Sequence, residues 1–465
     1  MTVWTEGDLR ALEDATGVAL RRDPGTLGVH GEDFGRLSRG TARAVLPITD
    51  PAQLERALRL AAERALRLTP RGMGMSQGGQ SVPADGVSLD LTGLHRILEV
   101  DEDALTVRCQ AGARWRTLVA ELARRGLLPR VLPLNLDLTV GGVLSVGGIG
   151  ATSHRFGVVA ANVPQLEVVT GAGARVRCGA TEEREVYDAT LAGLGRCAVI
   201  TSASVQLRRI APRVRTFYLL YDELEPWLAD QRALVAADRA DYLEAFMTCA
   251  VQGLHNTPAG RRPLPQWFYA LHVSREYHDA PPDGDEVLSG LRPYRRIHVE
   301  DNDTGAFAAR YEPRFEVMRR TGAWQEAHPW LEAFVPVASL GALLPRVLAA
   351  LPLFLGDGHR LMFVNTRQAP RALALPQAPE VAALAVLPAG LNAAFTEDAL
   401  RALGAVHHAL LQAGGKRYLS GWLGMMDAAA WRQHHGAGWD AWVAARRRWD
   451  PAGVLDSVLT RNTGA

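Results

Sequence analysis

The sequence predicts an α+β protein of two domains. Its 465 residues are enough for two or three domains of ordinary size. Strand-like runs and amphipathic helical patterns alternate as far as Ile210, and from Ala211 longer strand-like runs alternate with helices between Pro- and Gly-rich joints. We therefore place a first domain at residues 1–210, a second at 211–418 and a C-terminal segment at 419–465.

Local periodicity predicts the elements of the first domain. Leu54 and Leu58 recur at helical spacing after Pro51, and Pro70 stops the pattern. The predicted elements are a helix at Pro51–Leu68, strands at Ser88–Leu91 and Leu105–Cys109, a helix at Arg114–Arg125, and strands at Gln165–Thr170 and Ala174–Cys178. The last two strands flank Gly171-Ala172-Gly173, which predicts a hairpin.

The second domain alternates strands with helices in the same way. Strands are predicted at Thr216–Tyr221, Tyr242–Met247 and Trp267–Val273. A helix is predicted at Asp222–Arg239, with Asp222 as its N-cap. The Trp-rich stretch Asp427–Asn462 is predicted to be helical.

Composition and charge exclude several classes of protein. The chain has 51 basic and 50 acidic residues, a formal charge of +1, so no excess positive charge is available for nucleic acid. No apolar run reaches the roughly 18 residues that span a bilayer, so we expect no membrane partner. The four cysteines form no CxxC pair and no apolar leader is visible, which favours the cytoplasm. No metal site is predicted, and we expect a monomer or homodimer.

Two glycine-rich segments carry the functional signal. Four glycines lie within the eight residues 72–79, where backbone N–H groups can approach an anion closely, and Ser76 and Gln80 add side-chain donors. Residues 138–150 form a second such segment, too apolar for a solvent-exposed linker. Two segments of this kind suit a long ligand with a pyrophosphate. Because Lys416 is the single lysine, no lysine clamp is expected at the phosphates.

These segments belong to an ordered set of motifs along the chain. The set comprises Arg71-Gly72-x-Gly74-x-Ser76-x-x-Gly79-Gln80, Leu138-Thr139-Val140-Gly141-Gly142-x-Leu144-Ser145, Asp241-Tyr242-Leu243-Glu244, His328-Pro329-Trp330-Leu331, Tyr418-Leu419 and Trp449-Asp450-Pro451. In this order and spacing they resemble the vanillyl-alcohol oxidase superfamily, and within it the cytokinin dehydrogenases. The resemblance implies a PCMH-type FAD-binding fold built from both chain ends, with an inserted α+β substrate domain whose antiparallel sheet is flanked by helices.

The resemblance also implies which residues contact cofactor and substrate. The implied FAD contacts are Pro70, Gly72, Met73, Gly74, Met75, Ser76, Gln80, Leu134, Thr139, Ser145, Ile149, Ile200 and Tyr418. The implied substrate contacts are Trp330, Asn135 and Asn365.

Four positions depart from the family pattern. Met75 stands where the family has the histidine that links covalently to FAD, so we expect noncovalent FAD. Leu134 stands where the family has an aspartate general base. Leu459 replaces a glutamine of the flavin environment, and Glu332 replaces an asparagine.

These losses lie on the reactive side of the flavin, which speaks against cytokinin oxidation. Candidates for catalysis are Glu332, Glu244, Tyr418 and Asp137, with His154 as a further possible base. The alternative for Glu332 is an exposed helix charge, and for Glu244 a structural carboxylate on a strand.

The sequence therefore predicts an FAD-dependent oxidoreductase of bacterial specialised metabolism. It would transfer a hydride from a small or medium organic substrate to flavin and pass electrons to oxygen or another acceptor. One alternative is a non-redox cyclase, lyase or isomerase in which FAD is structural. The other is a non-catalytic binding protein.

Overall fold

Three β-sheets and the helices around them make up the protein. The computed structural model describes residues 4–258, 260–461 and 463, so the predicted C-terminal segment and its helical stretch end beyond the described residues. No helix in these ranges is long and apolar enough to cross a membrane. The mixture of helices and sheets confirms the predicted α+β class.

The first sheet has three parallel strands in the order β1-β3-β2. Its strands are β1 (Thr41–Pro47), β2 (Leu68–Arg71) and β3 (Asp85–Asp90), and helices α1 (Glu6–Thr16), α2 (Pro24–His30) and α3 (Pro51–Glu63) accompany them. Helix α3 buries Leu54 and Leu58 against this sheet, as its periodicity predicts. It ends before the predicted Leu68, because Ala65 adopts a φ of 52° and the chain then enters β2.

The second sheet is antiparallel, in the order β4-β5-β9-β7-β8 with β6 also paired to β9. Its strands are β4 (Ile97–Asp101), β5 (Thr106–Gln110), β6 (Leu127–Pro129), β7 (Gln165–Thr170), β8 (Arg175–Gly179) and β9 (Ala198–Arg209). The helices of this region are α4 (Trp115–Ala123), α5 (Val140–Val146), α6 (Ser153–Phe156) and α7 (Arg184–Thr190). The β7–β8 pairing confirms the predicted hairpin.

The third sheet has eight antiparallel strands in the order β13-β10-β12-β11-β15-β16-β14-β17. The strands are β10 (Arg213–Tyr221), β11 (Tyr242–Thr257), β12 (Gly260–Tyr277), β13 (Arg295–Asp303), β14 (Leu331–Pro336), β15 (His359–Val364), β16 (Val381–Val386) and β17 (Lys416–Arg417). The helices of this region are α8 (Leu224–Ala236), α9 (Gly284–Val287), α10 (Thr304–Ala308), α11 (Glu312–Arg320), α12 (Leu340–Ala350) and α13 (Ala393–Gln412).

Helices α8, α12 and α13 contribute to the core against this sheet. Trp227 of α8, Leu344 of α12 and Leu403 of α13 are buried in one cluster with its strands. Helix α8 begins later than predicted, because the N-cap position is Glu223 rather than Asp222 and its side chain makes no capping hydrogen bond.

The C-terminal segment returns to the first sheet. After α14 (Ala428–His435) and α15 (Trp439–Trp449), the chain runs alongside β2 before the short α16 (Val458–Arg461). Leu68 N donates to Val454 O (2.9 Å), and Asp456 N donates to Leu68 O (3.1 Å). The two ends of the chain therefore meet at β2.

Candidate active site

Two cavities adjoin each other along helix α5. We call the first the glycine-loop cavity, because residues 70–76 form one of its walls. The second is the sheet cavity, whose wall includes Glu244 of β11, Glu332 of β14 and Arg360 of β15. The residues lining both cavities are Met75, Leu138, Val143, Val146 and Ser420. One elongated ligand can therefore extend from the first cavity into the second.

The glycine loop, residues 72–76, presents a row of free backbone donors to its cavity. Throughout the described ranges, no protein atom accepts a hydrogen bond from the N–H groups of these residues. Phe34 N donates to Gly74 O (2.9 Å), and this hydrogen bond from a residue outside the loop stabilises the loop conformation. Gly74 has a φ of 67°, and a Cβ there would lie 2.2 Å from the Arg71 guanidinium. A concave row of N–H groups binds anionic oxygens such as those of a phosphate.

Arg71 lies against this loop and lines the same cavity. Its guanidinium donates to the backbone carbonyls of Val29 (2.9 Å), Glu32 (2.9 Å) and Ser81 (3.2 Å), and to no carboxylate of the described residues. Burial lowers the pKa of Arg71 from its ordinary high value, yet the group stays charged at neutral pH. Its positive charge therefore adds to the attraction of the loop for a phosphate.

Helix α5 brings the second glycine-rich segment to the same cavity. Thr139 is the N-cap of α5, and its Oγ1 accepts a hydrogen bond from Gly142 N (3.3 Å). Ser145 Oγ donates to Gly141 O (2.8 Å). A Cβ on Gly72 would lie only 2.3 Å from Thr139 Oγ1, so a glycine there lets the two segments meet.

Most of the implied FAD contacts lie at this cavity. Those lining it are Pro70, Gly72, Met73, Gly74, Met75, Ser76, Gln80, Thr139, Ser145 and Ile200. Leu134, Ile149 and Tyr418 line the sheet cavity instead. The Gln80 amide is engaged at both ends, because its Oε1 accepts from Gly78 N (2.8 Å) and its Nε2 donates to Leu419 O (2.6 Å). Gln80 thus ties the loop to the C-terminal segment.

Glu332 places a carboxyl group in the wall of the sheet cavity. Ser420 Oγ donates to Glu332 Oε2 (2.5 Å). Burial raises the pKa of Glu332 to about 7, although the Ser420 hydrogen bond and the charge of Arg417 act in the opposite direction. A carboxyl group with a pKa near neutrality is suited to general-base chemistry. The alternative of an exposed helix charge is wrong, because Glu332 lies on β14 and lines the cavity.

Glu244 is the ionised partner of two arginines. Arg310 Nε and Nη2 donate to Glu244 Oε2 (2.9 and 2.8 Å), and the hydroxyl of Tyr311 donates to Oε1. Arg360 Nη1 lies 3.8 Å from Oε1. Burial alone would raise the pKa of Glu244, but the two guanidinium groups outweigh it and the pKa lies below its ordinary value. A carboxylate held in this way is a weak proton acceptor, which favours the structural alternative.

Tyr418 and Trp330 close the sheet cavity beside these carboxyl groups. The hydroxyl of Tyr418 accepts a hydrogen bond from Gly148 N (2.8 Å). Burial raises the pKa of Tyr418, so the phenol stays protonated at neutral pH. Trp330 Nε1 donates to Pro388 O (2.9 Å), which fixes its ring in the wall. Asn135 lines the same cavity.

Two family models match the chain. The model of the FAD binding domain matches residues 42–179, and the model described as "Cytokinin dehydrogenase 1, FAD and cytokinin binding" matches residues 285–458. An "Uncharacterized oxidoreductase ORF5 in fasciation locus" of Rhodococcoides fascians is 31% identical, over 91% of this chain and 94% of the relative. Cytokinin dehydrogenase 8 of Oryza sativa subsp. japonica is 31% identical, over 91% and 88% of the two chains. Cytokinin dehydrogenase 2 of Arabidopsis thaliana is 26% identical, over 96% and 93%.

The chain belongs to the cytokinin dehydrogenase-like oxidoreductases. It is an FAD-dependent enzyme with a PCMH-type FAD-binding domain and a cytokinin-binding-type domain. Like other flavoenzymes, it takes electrons from a small-molecule substrate and passes them to an acceptor.

The glycine-loop cavity of this cytokinin dehydrogenase-like enzyme fits FAD. A pyrophosphate carries two negative charges and needs hydrogen-bond donors, which the free N–H groups of residues 72–76 and the nearby Arg71 provide. Residues that line both cavities, Met75 and Val146 among them, would hold the part of FAD that passes from one cavity to the other.

Besides Glu332, two positions at which the resemblance implies a different residue lie at the sheet cavity. Met75 and Leu134 both line it, and both pack against the buried cluster of Phe34, Phe315 and Met318. A thioether and an isobutyl group therefore stand where the family resemblance implies a histidine and a carboxylate.

Three candidate residues lie outside the linings of both cavities. Asp137 is bound by Arg116 (2.9 Å) and Arg319 (3.1 Å). Asn365 Nδ2 donates to Arg155 O (2.9 Å). The ring nitrogens of His154 each lie 3.1 Å from a backbone carbonyl oxygen. Their positions give none of the three a contact with the cavities.

The sheet cavity also contains arginines that sequence patterns did not reveal. The cavity is lined by Arg208 of β9, by Arg310 just before α11 and by Arg360 of β15. One signal was available for Arg360, a charged residue in the otherwise apolar part of its strand. Because its neighbours come from other strands, its role could not be recognised from local sequence.

Proposed function

We propose that the protein oxidises a small or medium organic substrate with noncovalently bound FAD, and that oxygen or another acceptor reoxidises the flavin. The observation that carries this proposal is the free N–H row of residues 72–76 in a cavity that adjoins the Glu332 carboxyl group. When bound, FAD supplies a two-electron acceptor for the substrate hydride. We expect this oxidation to belong to bacterial specialised metabolism.

Glu332 is the proposed proton acceptor. As the substrate loses a hydride, a proton also leaves it, and the ionised Glu332 carboxylate takes that proton. Ser420 Oγ donates to the carboxylate and orients it (2.5 Å). Tyr418 and Trp330 shield the group from bulk water as part of the same wall.

Noncovalent FAD is supported by Met75. Its thioether lacks the ring nitrogen with which a histidine forms a link to flavin, and it lines both cavities at the loop. Acid precipitation of the purified yellow protein tests this point by absorption spectroscopy. We expect the flavin spectrum in the supernatant. Flavin that remains in the pellet would contradict the proposal.

The substrate differs from that of the cytokinin dehydrogenases. Leu134 is packed among apolar side chains and cannot accept a hydrogen bond from a substrate amine, as the aspartate implied by the resemblance would. A purine cytokinin added anaerobically to the holoenzyme should leave the flavin absorbance unchanged. A substrate that is turned over without any flavin bleaching would instead indicate the non-redox alternative.

A further inference from the structure

Arg360 is a buried arginine whose hydrogen-bonding capacity is unused by the protein. Arg360 is 4% exposed and lines the sheet cavity. Among the described residues, its Nε has no hydrogen-bond acceptor. Within the described residues its guanidinium makes no hydrogen bond at all, and its ion pair with Glu244 Oε1 spans 3.8 Å. Buried donors are almost always satisfied in proteins, so an unsatisfied guanidinium beside a cavity points to a ligand.

Among the described residues, no carboxylate is hydrogen-bonded to Arg360. Arg310 donates two hydrogen bonds to Glu244, whereas Nη1 of Arg360 lies 3.8 Å from that carboxylate. The Arg360 guanidinium lies over the rings of Phe246 (4.6 Å) and Tyr311 (4.4 Å). Contact with ring faces leaves the N–H edge of a guanidinium available to a planar carboxylate.

Strand register places Arg360 and Glu332 on one face of the sheet. Arg360 is paired with Ala385, and Ala385 is paired with Glu332. Directly paired residues point to the same face, and two strand spacings amount to roughly 10 Å. The methyl group of Ala385 leaves open space between the two charged residues. A ligand anchored at Arg360 can therefore reach Glu332 across Ala385.

We propose that the sheet cavity selects a substrate with a carboxylate, which forms a bidentate pair with Arg360 while the carbon to be oxidised lies beside Glu332. The planar guanidinium matches a carboxylate in this geometry. The apolar walls at Phe315, Met362 and Leu387 suit a hydrocarbon or aromatic body between the two ends. This inference rests on the proposed function, since it assigns the substrate class of the same site.

Binding of carboxylates and their neutral amides to the FAD-loaded protein tests the inference. The probes are phenylacetate, 3-phenylpropionate and 4-phenylbutyrate, each compared with its amide by isothermal titration calorimetry. We expect at least one carboxylate to bind about tenfold or more tightly than its amide. Arg360→Met should remove that preference, and Arg360→Lys should retain part of it. Arg401→Met, at an exposed arginine of α13, is the matched control and should behave like the wild type.

Two outcomes overturn the inference. One is that no carboxylate binds the wild type more tightly than its amide, a result that does not depend on any variant folding. The other is that Arg360→Met, with its FAD content and melting temperature retained, keeps the full preference. Calorimetry requires no turnover, so a failure of the proposed oxidation leaves the binding preference measurable. Conversely, flavin reduction by a neutral substrate would preserve the proposed function and exclude this substrate class.

Discussion

At the residue scale, Glu332 couples burial to the pH behaviour of the enzyme. Ser420 donates a hydrogen bond to its carboxyl group, and Tyr418 is buried beside it. Arg417 donates to the backbone carbonyl of Glu332 (3.2 Å) and acts on the carboxyl group through its charge, while Arg360 lies in the same cross-strand row. Burial opposes ionisation more strongly than Ser420 and Arg417 favour it, and the pKa of Glu332 rises to about 7. Its ionised form is therefore populated only in the neutral range and above.

We predict that kcat/KM rises with pH and levels off above an apparent pKa near 7, because only the ionised Glu332 accepts a proton. Glu332→Gln should lower kcat/KM by roughly 10²–10⁴ and remove the inflection. Steady-state rates between pH 5.5 and 9 measure both effects. A wild-type profile without an inflection near 7, or an inflection that persists in Glu332→Gln, would speak against this role.

The same pKa shift makes the folded protein less stable as the pH rises, whereas the activity is expected to increase. The folded-state pKa of about 7 lies above the ordinary value of 4.5, so the native state holds this proton more tightly than the unfolded chain. The stabilisation is complete below about pH 4.5 and is lost as the pH rises through 7. The free energy of unfolding, measured with denaturant, should therefore fall less between pH 5 and pH 8 in Glu332→Gln than in the wild type.

The motif residues Gly72, Gly74, Thr139 and Ser145 line one cavity, and their contacts with FAD stay a prediction. Arg71 and Arg360 were missed, because what distinguishes them is their surroundings. Arg71 contacts Val29 of α2 and Ser81 of a turn, and Arg360 owes its role to strands that are far apart in sequence.

At the scale of elements, the glycine loop depends on backbone conformation. Gly74→Ala combines a positive φ with a clash against the Arg71 guanidinium, 2.2 Å from the new Cβ. Gly17, the C-cap of α1, has nearly the same φ of 68° and open space around it. Comparing alanine variants of the two glycines therefore distinguishes the effect of backbone strain alone from that of strain together with a disturbed cavity.

We predict that Gly74→Ala weakens FAD binding at least tenfold, since the N–H row must shift. Gly17→Ala should lose about 1–2 kcal/mol of stability from the positive φ alone, and keep its FAD affinity. Fluorescence titration of FAD into the deflavinated proteins, alongside their melting temperatures, measures both. Equal FAD affinity of the two variants would contradict the role of the loop.

The element boundaries show what local sequence can reveal. Strand β7 was predicted with its full length, whereas β3 begins at Asp85, before the predicted Ser88. Strands β11 and β12 extend well beyond the predicted Tyr242–Met247 and Trp267–Val273, and their added residues 251–257 and 260–265 are largely exposed. Without a buried face they carry no alternating apolar pattern, so periodicity could not detect them.

At the scale of the whole molecule, Asp450 joins segments that are far apart in the sequence. Its Oδ1 accepts from Val454 N (2.7 Å) and its Oδ2 from Leu455 N (2.9 Å). It also contacts Gly171 of the β7–β8 turn, where an added Cβ would lie 2.3 Å from Oδ1. Val454 in turn accepts the hydrogen bond from Leu68 of β2.

We predict that Asp450→Ala destabilises the protein by about 2–4 kcal/mol, because two buried N–H groups lose their acceptor. Asp440→Ala removes an exposed aspartate of α15 and should change stability by less than about 0.5 kcal/mol. Denaturant unfolding of the two variants provides the comparison. Comparable stability of both variants would show that Asp450 does not join the chain ends.

The two-domain plan was predicted from chain length and from the change in the pattern of strands and helices at Ala211, and the boundaries at 210 and 418 remain a prediction. The second family model spans residues 285–458 and so crosses the boundary at 418. Contact between the two cavities along α5 could not be predicted. It depends on how the sheets approach each other, which no local pattern encodes.

The free N–H row of residues 72–76 has a consequence for mutational tolerance. Main-chain donors are common to nearly all amino acids, so substitutions in this segment preserve its hydrogen-bonding groups unless they alter the backbone angles. The opposite holds at the sheet cavity, where single side chains at Glu332 and Arg360 define the chemistry. A single substitution at the sheet cavity can therefore change substrate preference without altering the groups that hold the cofactor.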